Sequence, residues 1–219
     1  MAPVTEILTL TLAPDTDQPT LLSSIEETLR AWQQQHEPLL RAQHAFTHED
    51  PLKLRLAHDW ADVPASSPLS SLSSPGRGIA EARGPYHVAF DPPQPRVLDT
   101  ASPGAASRVT EMVHMYFPPA RRGAADVGDA VARFVAELRA LDGRKIGFSG
   151  EAAWGWVAGL LEYKGEDHAV FVLCLGWQSV KAHVEFRDTE DFQRSIPIMR
   201  GIGGLKGSEM AHVSLRRVV

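Results

Sequence analysis

Val109-Thr110-Glu111-Met112-Val113-His114-Met115-Tyr116-Phe117-Pro118-Pro119 restates, half a chain later, Val4-Thr5-Glu6-Ile7-Leu8-Thr9-Leu10-Thr11-Leu12-Ala13-Pro14. Both segments open valine-threonine-glutamate, alternate for several residues and stop at proline. Alternation of apolar and small polar side chains is the period-2 signature of a strand with two unlike faces, and proline ends ladder pairing. A repeat at this spacing predicts two copies of one folding unit in the chain.

The flanking sequence fills in each unit. After the first strand, Asp15 to Thr20 supply turn formers and cap candidates. Leu22, Ile25, Leu29 and Trp32 then follow at three- and four-residue spacing, which predicts a helix. Residues 43–48 and 52–60 read as strands, with Glu49-Asp50-Pro51 as the turn between them, and Tyr86 to Phe90 as another strand. In the second half the strand from Val109 leads to a helix with Val127, Val131, Phe134, Val135, Leu138 and Leu141 on one stripe. Gly155 to Leu161 reads as a strand, Tyr163 to Asp167 as a hairpin turn and His168 to Trp177 as a central strand. A broken helix from Val180 to Met199 and a last strand from Met210 to Leu215 complete the unit.

The expected fold class is α+β, with each half spelling β-α-β-β-α-β, the ferredoxin-like order. The first unit (1–91) has its second helix degenerate: the serine- and proline-rich stretch 63–78 stands in that place and reads as a mobile loop able to close over a pocket. Residues 92–107, proline-rich at the start, form a semi-stiff linker, and 108–219 form the second unit.

Composition narrows the function classes. A net charge of −5 with mixed signs gives no basic stripe, so no nucleic-acid partner is expected. No apolar run is long enough to cross a bilayer and the N-terminus lacks the layout of a signal peptide, so the expectation is a cytoplasmic protein with no membrane partner. The one cysteine, Cys174, lies in an apolar run and reads as a buried thiol.

Gly176-Trp177-Gln178-Ser179-Val180-Lys181-Ala182-His183-Val184-Glu185-Phe186, taken with Val109-Thr110-Glu111 and His212-Val213-Ser214-Leu215, resembles the dimeric α/β-barrel superfamily, nearest its antibiotic-biosynthesis-monooxygenase-like branch. There a tryptophan ends a strand and a histidine sits on the following helix. In the first half Asp59-Trp60 matches Gly176-Trp177 and His87-Val88 matches His212-Val213, while the helical histidine has no counterpart. The resemblance implies two ferredoxin-like units packed sheet to sheet, here as an intrachain pseudo-dimer open to further homodimerisation. It also implies a pocket inside each unit. Members include cofactor-free monooxygenases, polyketide cyclases, decarboxylases and haem-degrading enzymes, so the reaction is left open.

Candidate site residues follow from the strand faces. Glu6, Leu8, Leu10 and Leu12 share one face and Thr9 and Thr11 the other, with His114 and Tyr116 corresponding in the second copy. A helix packs best on an apolar face, so Thr9, Thr11, His114 and Tyr116 are expected to point into the barrel. His114, Tyr116 and His212 are the candidate catalytic groups, an imidazole acting as base and the phenol donating to a developing enolate. Thr9, Thr11, His87, Trp154, Trp156 and His183 are candidate substrate contacts, with the tryptophans as an aromatic wall and His183 packing on Trp177. His44, His48 and Glu49 share ligand chemistry but no helix and no third strong ligand, so they read as a solvated loop and no metal site is expected.

The expected function is a cofactor-independent cyclase or isomerase of secondary metabolism. It would hold an apolar polyketide- or terpenoid-like intermediate for ring closure, including a pericyclic closure of Diels-Alder type. The alternatives are a cofactor-free monooxygenase or decarboxylase on an aromatic polyketide, and a binding protein without turnover.

Overall fold

A computed structural model describes residues 3–35, 39–63, 78–102 and 104–219. The central strands of its two sheets are the repeated segments, β1 (Val4–Leu12) and β5 (Val109–Phe117). Around β1 the chain adds α1 (Gln18–Gln35), β2 (Leu39–Phe46), β3 (Lys53–Trp60) and β4 (Ile79–Val88). Around β5 it adds α2 (Ala125–Ala140), a short turn of helix α3 (Gly143–Ile146), β6 (Phe148–Trp156), β7 (Leu161–Tyr163) and β8 (Glu166–Trp177). Then follow α4 (Val180–Arg187), α5 (Glu190–Arg200), β9 (Gly207–Val213) and β10 (Arg216–Arg217). The sheets run β10-β2-β3-β1-β4 and β6-β8-β5-β9, so leaving β10 aside the strand order within each half is the same. All pairings are antiparallel.

The sequence pattern explains each layer. In α1, Leu21, Ile25 and Leu29 are buried against Leu8, Leu10, Leu54 and Leu56; the first core contact is Leu21, where Leu22 was expected. Asp17 receives the Thr20 backbone N–H at the helix start. In α2, Val127, Ala130, Val131, Phe134, Val135 and Leu138 form the buried stripe, packed on Met115, Phe117, Phe171 and Leu173. Each valine, leucine or phenylalanine of this stripe, fully buried, contributes roughly 1.5–3 kcal/mol of transfer free energy.

Between the sheets lies a separate core of Ile7, Tyr86, Met112, Tyr116, Val170, Val172 and Cys174. The edges of the two sheets meet on both sides: Thr47 bridges Val213, while Val88 bridges Val157 and Asp91 bridges Trp154. These bridges join the two sheets within one chain. Close approach at the second seam depends on Gly155, where a Cβ would collide with the Ala89 carbonyl. Within 92–107, Val97 and Leu98 are buried in the inter-sheet core, and Val97 offers its carbonyl to the Thr110 hydroxyl. The segment therefore packs against the barrel as well as joining its halves.

Two local expectations are corrected. The strand read at Gly155 to Leu161 lies earlier, at β6, because Ser149-Gly150-Glu151 hides a strand beginning in a register shift, and Gly159 (φ 105°) turns the chain instead. β4 begins at Ile79, seven residues before the expected Tyr86. The hairpin between β7 and β8 is confirmed, with Lys164 and Gly165 both at positive φ as a type I′ turn demands. The expected loop 63–78 lies, apart from its first and last residues, outside the described residues. No helix among the described residues is long and apolar enough to cross a membrane.

Candidate active site

The site starts from a carboxylate on the apolar face of a sheet. On β5, Glu111 alternates with Met112, so it points with Val113 and Met115 toward the helices rather than into the barrel. Antiparallel register puts His212 of β9 opposite Glu111, and Trp177 of β8 opposite Val109, two residues along. The Trp177 indole donates to Glu111 Oε2 at 3.0 Å.

α4 roofs this corner. Ser179 caps it by accepting the Ala182 N–H at 3.0 Å, and Gly147 (φ 72°) lets the chain turn beneath Ala182, where a Cβ would collide. One turn on, the His183 ring stacks on Trp177, with centroids 4.6 Å apart and planes 25° from parallel. Its Nε2 lies 3.4 Å from Glu111 Oε2 and its Nδ1 is hydrogen-bonded to His212 Nε2 at 2.7 Å. His212 Nδ1 in turn meets Glu49 Oε1 at 2.5 Å, and the His212 backbone N–H donates to the same carboxylate. Glu49 belongs to the turn after β2, in the other half of the chain.

Beside Glu111 opens a cavity of about 340 Å³ between the second sheet and α2, α4 and α5. Its wall is mostly apolar, from Val113, Met115, Phe134, Leu173, Leu175, Phe186, Phe192 and Met199. The polar groups are Glu111, Trp177, His183 and Ser208, with exposed Arg187 and Arg200 also lining it.

Burial sets the electrostatics. It pushes the Glu111 carboxyl up to about 7, against the opposing pull of the Trp177 hydrogen bond and the Arg187 charge. Burial, joined by the neighbouring charges of His212 and Arg187, pushes His183 down to about 3, so its ring is neutral near pH 7. At Glu49, burial is outweighed by hydrogen bonds from His212, and the carboxyl titrates below its usual range. A buried carboxyl poised near neutrality in an apolar cleft has the properties of a general acid–base group.

The sequence candidates divide between this site and the barrel interior. His183 and His212 come together at Glu111; Glu111 and Glu49 were not among the candidates. His114 and Tyr116 point into the barrel, as expected, but neither lines the cavity. The Tyr86 hydroxyl sits 2.5 Å from His114 Nε2, and Tyr116 is held by Arg83 and Glu209 at 2.6 Å each and stacks on Tyr163. Burial and the charges of Arg55 and Arg83 push His114 well below the usual imidazole range. Thr9 and Thr11 are half-buried on the barrel-facing side of β1. His87 lies beside Glu6, with Nε2 3.6 Å from Oε1. Trp154 and Trp156 line a shallow groove near the start of α2, away from Glu111. The signal for Glu111 was the charged residue repeated, as at Glu6, on an otherwise apolar strand face. Glu49, read as part of a solvated loop, reaches His212 across 163 positions of sequence, which no local pattern reveals.

The chain shares its fold with solved structures of monooxygenase- and oxidase-like proteins. Three solved structures illustrate the likeness. An anthrone oxidase-like protein superposes with a TM-score of 0.63 at 14% identity, over 100% of this chain and 94% of that one. A candidate monooxygenase from Fusobacterium nucleatum gives 0.60 at 9% identity, over 99% and 94%. Another, from Lactobacillus acidophilus, gives 0.55 at 11%, over 100% and 95%. No protein-family model and no curated protein matches the sequence.

Proposed function

We infer that the protein is an enzyme of small-molecule metabolism in which Glu111 moves a proton on an apolar, natural-product-like substrate held in the sheet–helix cavity. The observation carrying this reading is the placement of the Glu111 carboxyl, poised near neutrality, at the wall of an apolar cleft. Trp177 and His183 address Oε2, which leaves Oε1 for an acidic C–H or O–H in the cavity. Removing that proton gives an enolate or phenolate, and Arg187 and Arg200 supply positive charge to its oxygen. Protonation of the anion at another carbon is an isomerisation, and attack on an electrophilic carbon of the same molecule is a cyclisation. Both fit a cavity that fixes one conformation of its occupant. The work of His114 and Tyr116 is then to hold the two sheets together.

Oxygenation is the second reading, favoured by the oxidase- and monooxygenase-type proteins among the structural likenesses. The same anion would there meet dioxygen. One experiment tests the shared step and separates the outcomes. Purified protein is incubated in deuterated buffer with anthrone, a flat ketone with an acidic methylene, while deuterium uptake is followed by mass spectrometry and oxygen by electrode. Exchange above the buffer rate that disappears in Glu111→Gln supports the base assignment, and exchange equal in both proteins overturns it. Oxygen consumption matching turnover selects the second reading.

A further inference from the structure

A carboxyl that takes a proton from an apolar molecule filling its cavity must pass that proton on before it can act again. The occupant separates Glu111 from water on the cavity side. On its other side lies a continuous series of titratable groups, Glu111–His183–His212–Glu49, with successive separations of 3.4, 2.7 and 2.5 Å. Side-chain exposure along the series runs 8%, 5%, 2% and 42%, so Glu49 is the end that meets solvent.

Resting on Glu111 as the base, we propose that His183 and His212 form a proton path from the cavity to the seam between the halves, with Glu49 of the first half holding its outer end. His183 and His212 are relay residues, and Glu49 is the outer relay residue that hands the proton to water. The hydrogens balance without a change in net charge. In one arrangement Glu111 and Glu49 are ionised, His183 carries hydrogen on Nε2, and His212 carries hydrogen on both nitrogens. Moving the His212 Nε2 hydrogen to His183 Nδ1, and the His183 Nε2 hydrogen to Glu111, gives a neutral acid and a neutral His212. Run in reverse, a proton taken from substrate arrives on His212 Nε2; His212 passes its Nδ1 hydrogen to Glu49, which releases it to water, and reorientation of the two imidazole rings resets the path.

His183 is neutral in both arrangements and only exchanges tautomers. This agrees with the strong depression of its basicity by burial. The 3.4 Å step is the long one, and hydrogen bonds of this kind tighten when a ligand binds. The outer end is held firmly. Glu49 takes both the ring and the backbone N–H of His212, and His48 donates its backbone N–H to the His212 carbonyl at 2.9 Å. The charged and titratable groups facing the path are Glu111 from β5, His183 and Arg187 from α4, His212 from β9, and Glu49 and His48 from the β2–β3 turn. The second half's site is therefore incomplete without a residue of the first.

The test has two arms on the full-length protein. Without ligand, ¹⁵N-imidazole and ¹³C-carboxyl spectra are followed against pH. The His183 and His212 ring nitrogens are expected to respond with the same midpoint as Glu111. That midpoint is expected to fall in Glu49→Gln, because the Glu49 charge raises the proton affinity of Glu111. With anthrone in deuterated buffer, Glu49→Gln and His212→Asn are expected to lower washout of the abstracted hydrogen by roughly tenfold, a fraction of a full general acid–base contribution. Hydrogen return to the same molecule should rise correspondingly. Imidazole signals that ignore the Glu111 transition, or washout unchanged in both variants while Glu111→Gln abolishes exchange, overturn the path and leave the base assignment standing. Full exchange in Glu111→Gln overturns both.

Discussion

Glu6 and Glu111 occupy equivalent positions on the central strands of the two sheets, and each receives an indole N–H on Oε2, from Trp60 at 3.1 Å and from Trp177 at 3.0 Å. The register is repeated as well: Val4 lies opposite Trp60 as Val109 lies opposite Trp177, and Glu6 opposite His87 as Glu111 opposite His212. What differs is the setting. On β3 a histidine, His58, faces Glu6 where β8 presents Leu175 to Glu111.

The buried carboxyl of Glu111 makes stability depend on pH. Its proton affinity is raised from an ordinary 4.5 to about 7 in the folded state, so the folded protein binds the proton more tightly than the unfolded chain. The associated stability is fully present below about pH 4.5 and is lost as pH rises through 7. Glu111→Gln, which keeps an acceptor for Trp177, is expected to exceed the parent at pH 8 by on the order of 3 kcal/mol and to match it near pH 4. Urea unfolding at the two pH values measures the difference, and equal gaps at both contradict it.

His58 has the opposite sign. It is fully buried, and among the described residues neither ring nitrogen has a hydrogen-bond partner. Burial, with the nearby His44, pushes it from 6.5 down to about 3. Its stability contribution is present above pH 6.5 and is lost as pH falls toward 3. His58→Leu is expected to raise the melting temperature, and to raise it more at pH 4.5 than at pH 7.5. A smaller gain in acid counts against burial as the cause.

In the inter-sheet core, Tyr86→Phe leaves His114 Nε2 without its partner. A buried unsatisfied group of this kind costs about 1–3 kcal/mol. Denaturant unfolding is expected to show that loss while deuterium exchange on anthrone stays within about twofold of the parent, well inside the range attributed to acid–base groups. Exchange falling a hundredfold would bring His114 into the chemistry.

Trp177→Phe removes a donor that lowers the proton affinity of Glu111. The pH at which exchange reaches half its maximum is expected to move upward, because the base must be ionised to act. A profile that stays in place shows that the indole contributes packing alone.

Much of the architecture was legible because strand alternation is local. The two valine-threonine-glutamate openings identified both central strands, and the α2 stripe placed the helix on its sheet. Lys164-Gly165 located the β7–β8 turn. The chemistry was less legible. Sorting strand faces by greasiness sends polar groups into the barrel, and His114 and Tyr116 do go there. The cavity lies on the other face, where one carboxylate among leucines and methionines breaks the local pattern. Departures of that kind gather at functional sites. Glu49 looked like an ordinary turn residue because its role depends on β9, brought beside it only by barrel closure.

β10 lies beside β2, and nearby the Val218 N–H donates to the Ala42 carbonyl while the Ala42 N–H donates to the Val219 carbonyl, so the C-terminal end is stitched into the N-terminal sheet. A ring built from two identical subunits must carry every residue twice and separates when dilute. Covalent fusion removes both constraints, since tethered partners meet at a high effective concentration. Each half is then free to diverge, and the reach of Glu49 toward His212, without a counterpart among the described residues, is an asymmetry that strict twofold assembly would have forced into a pair.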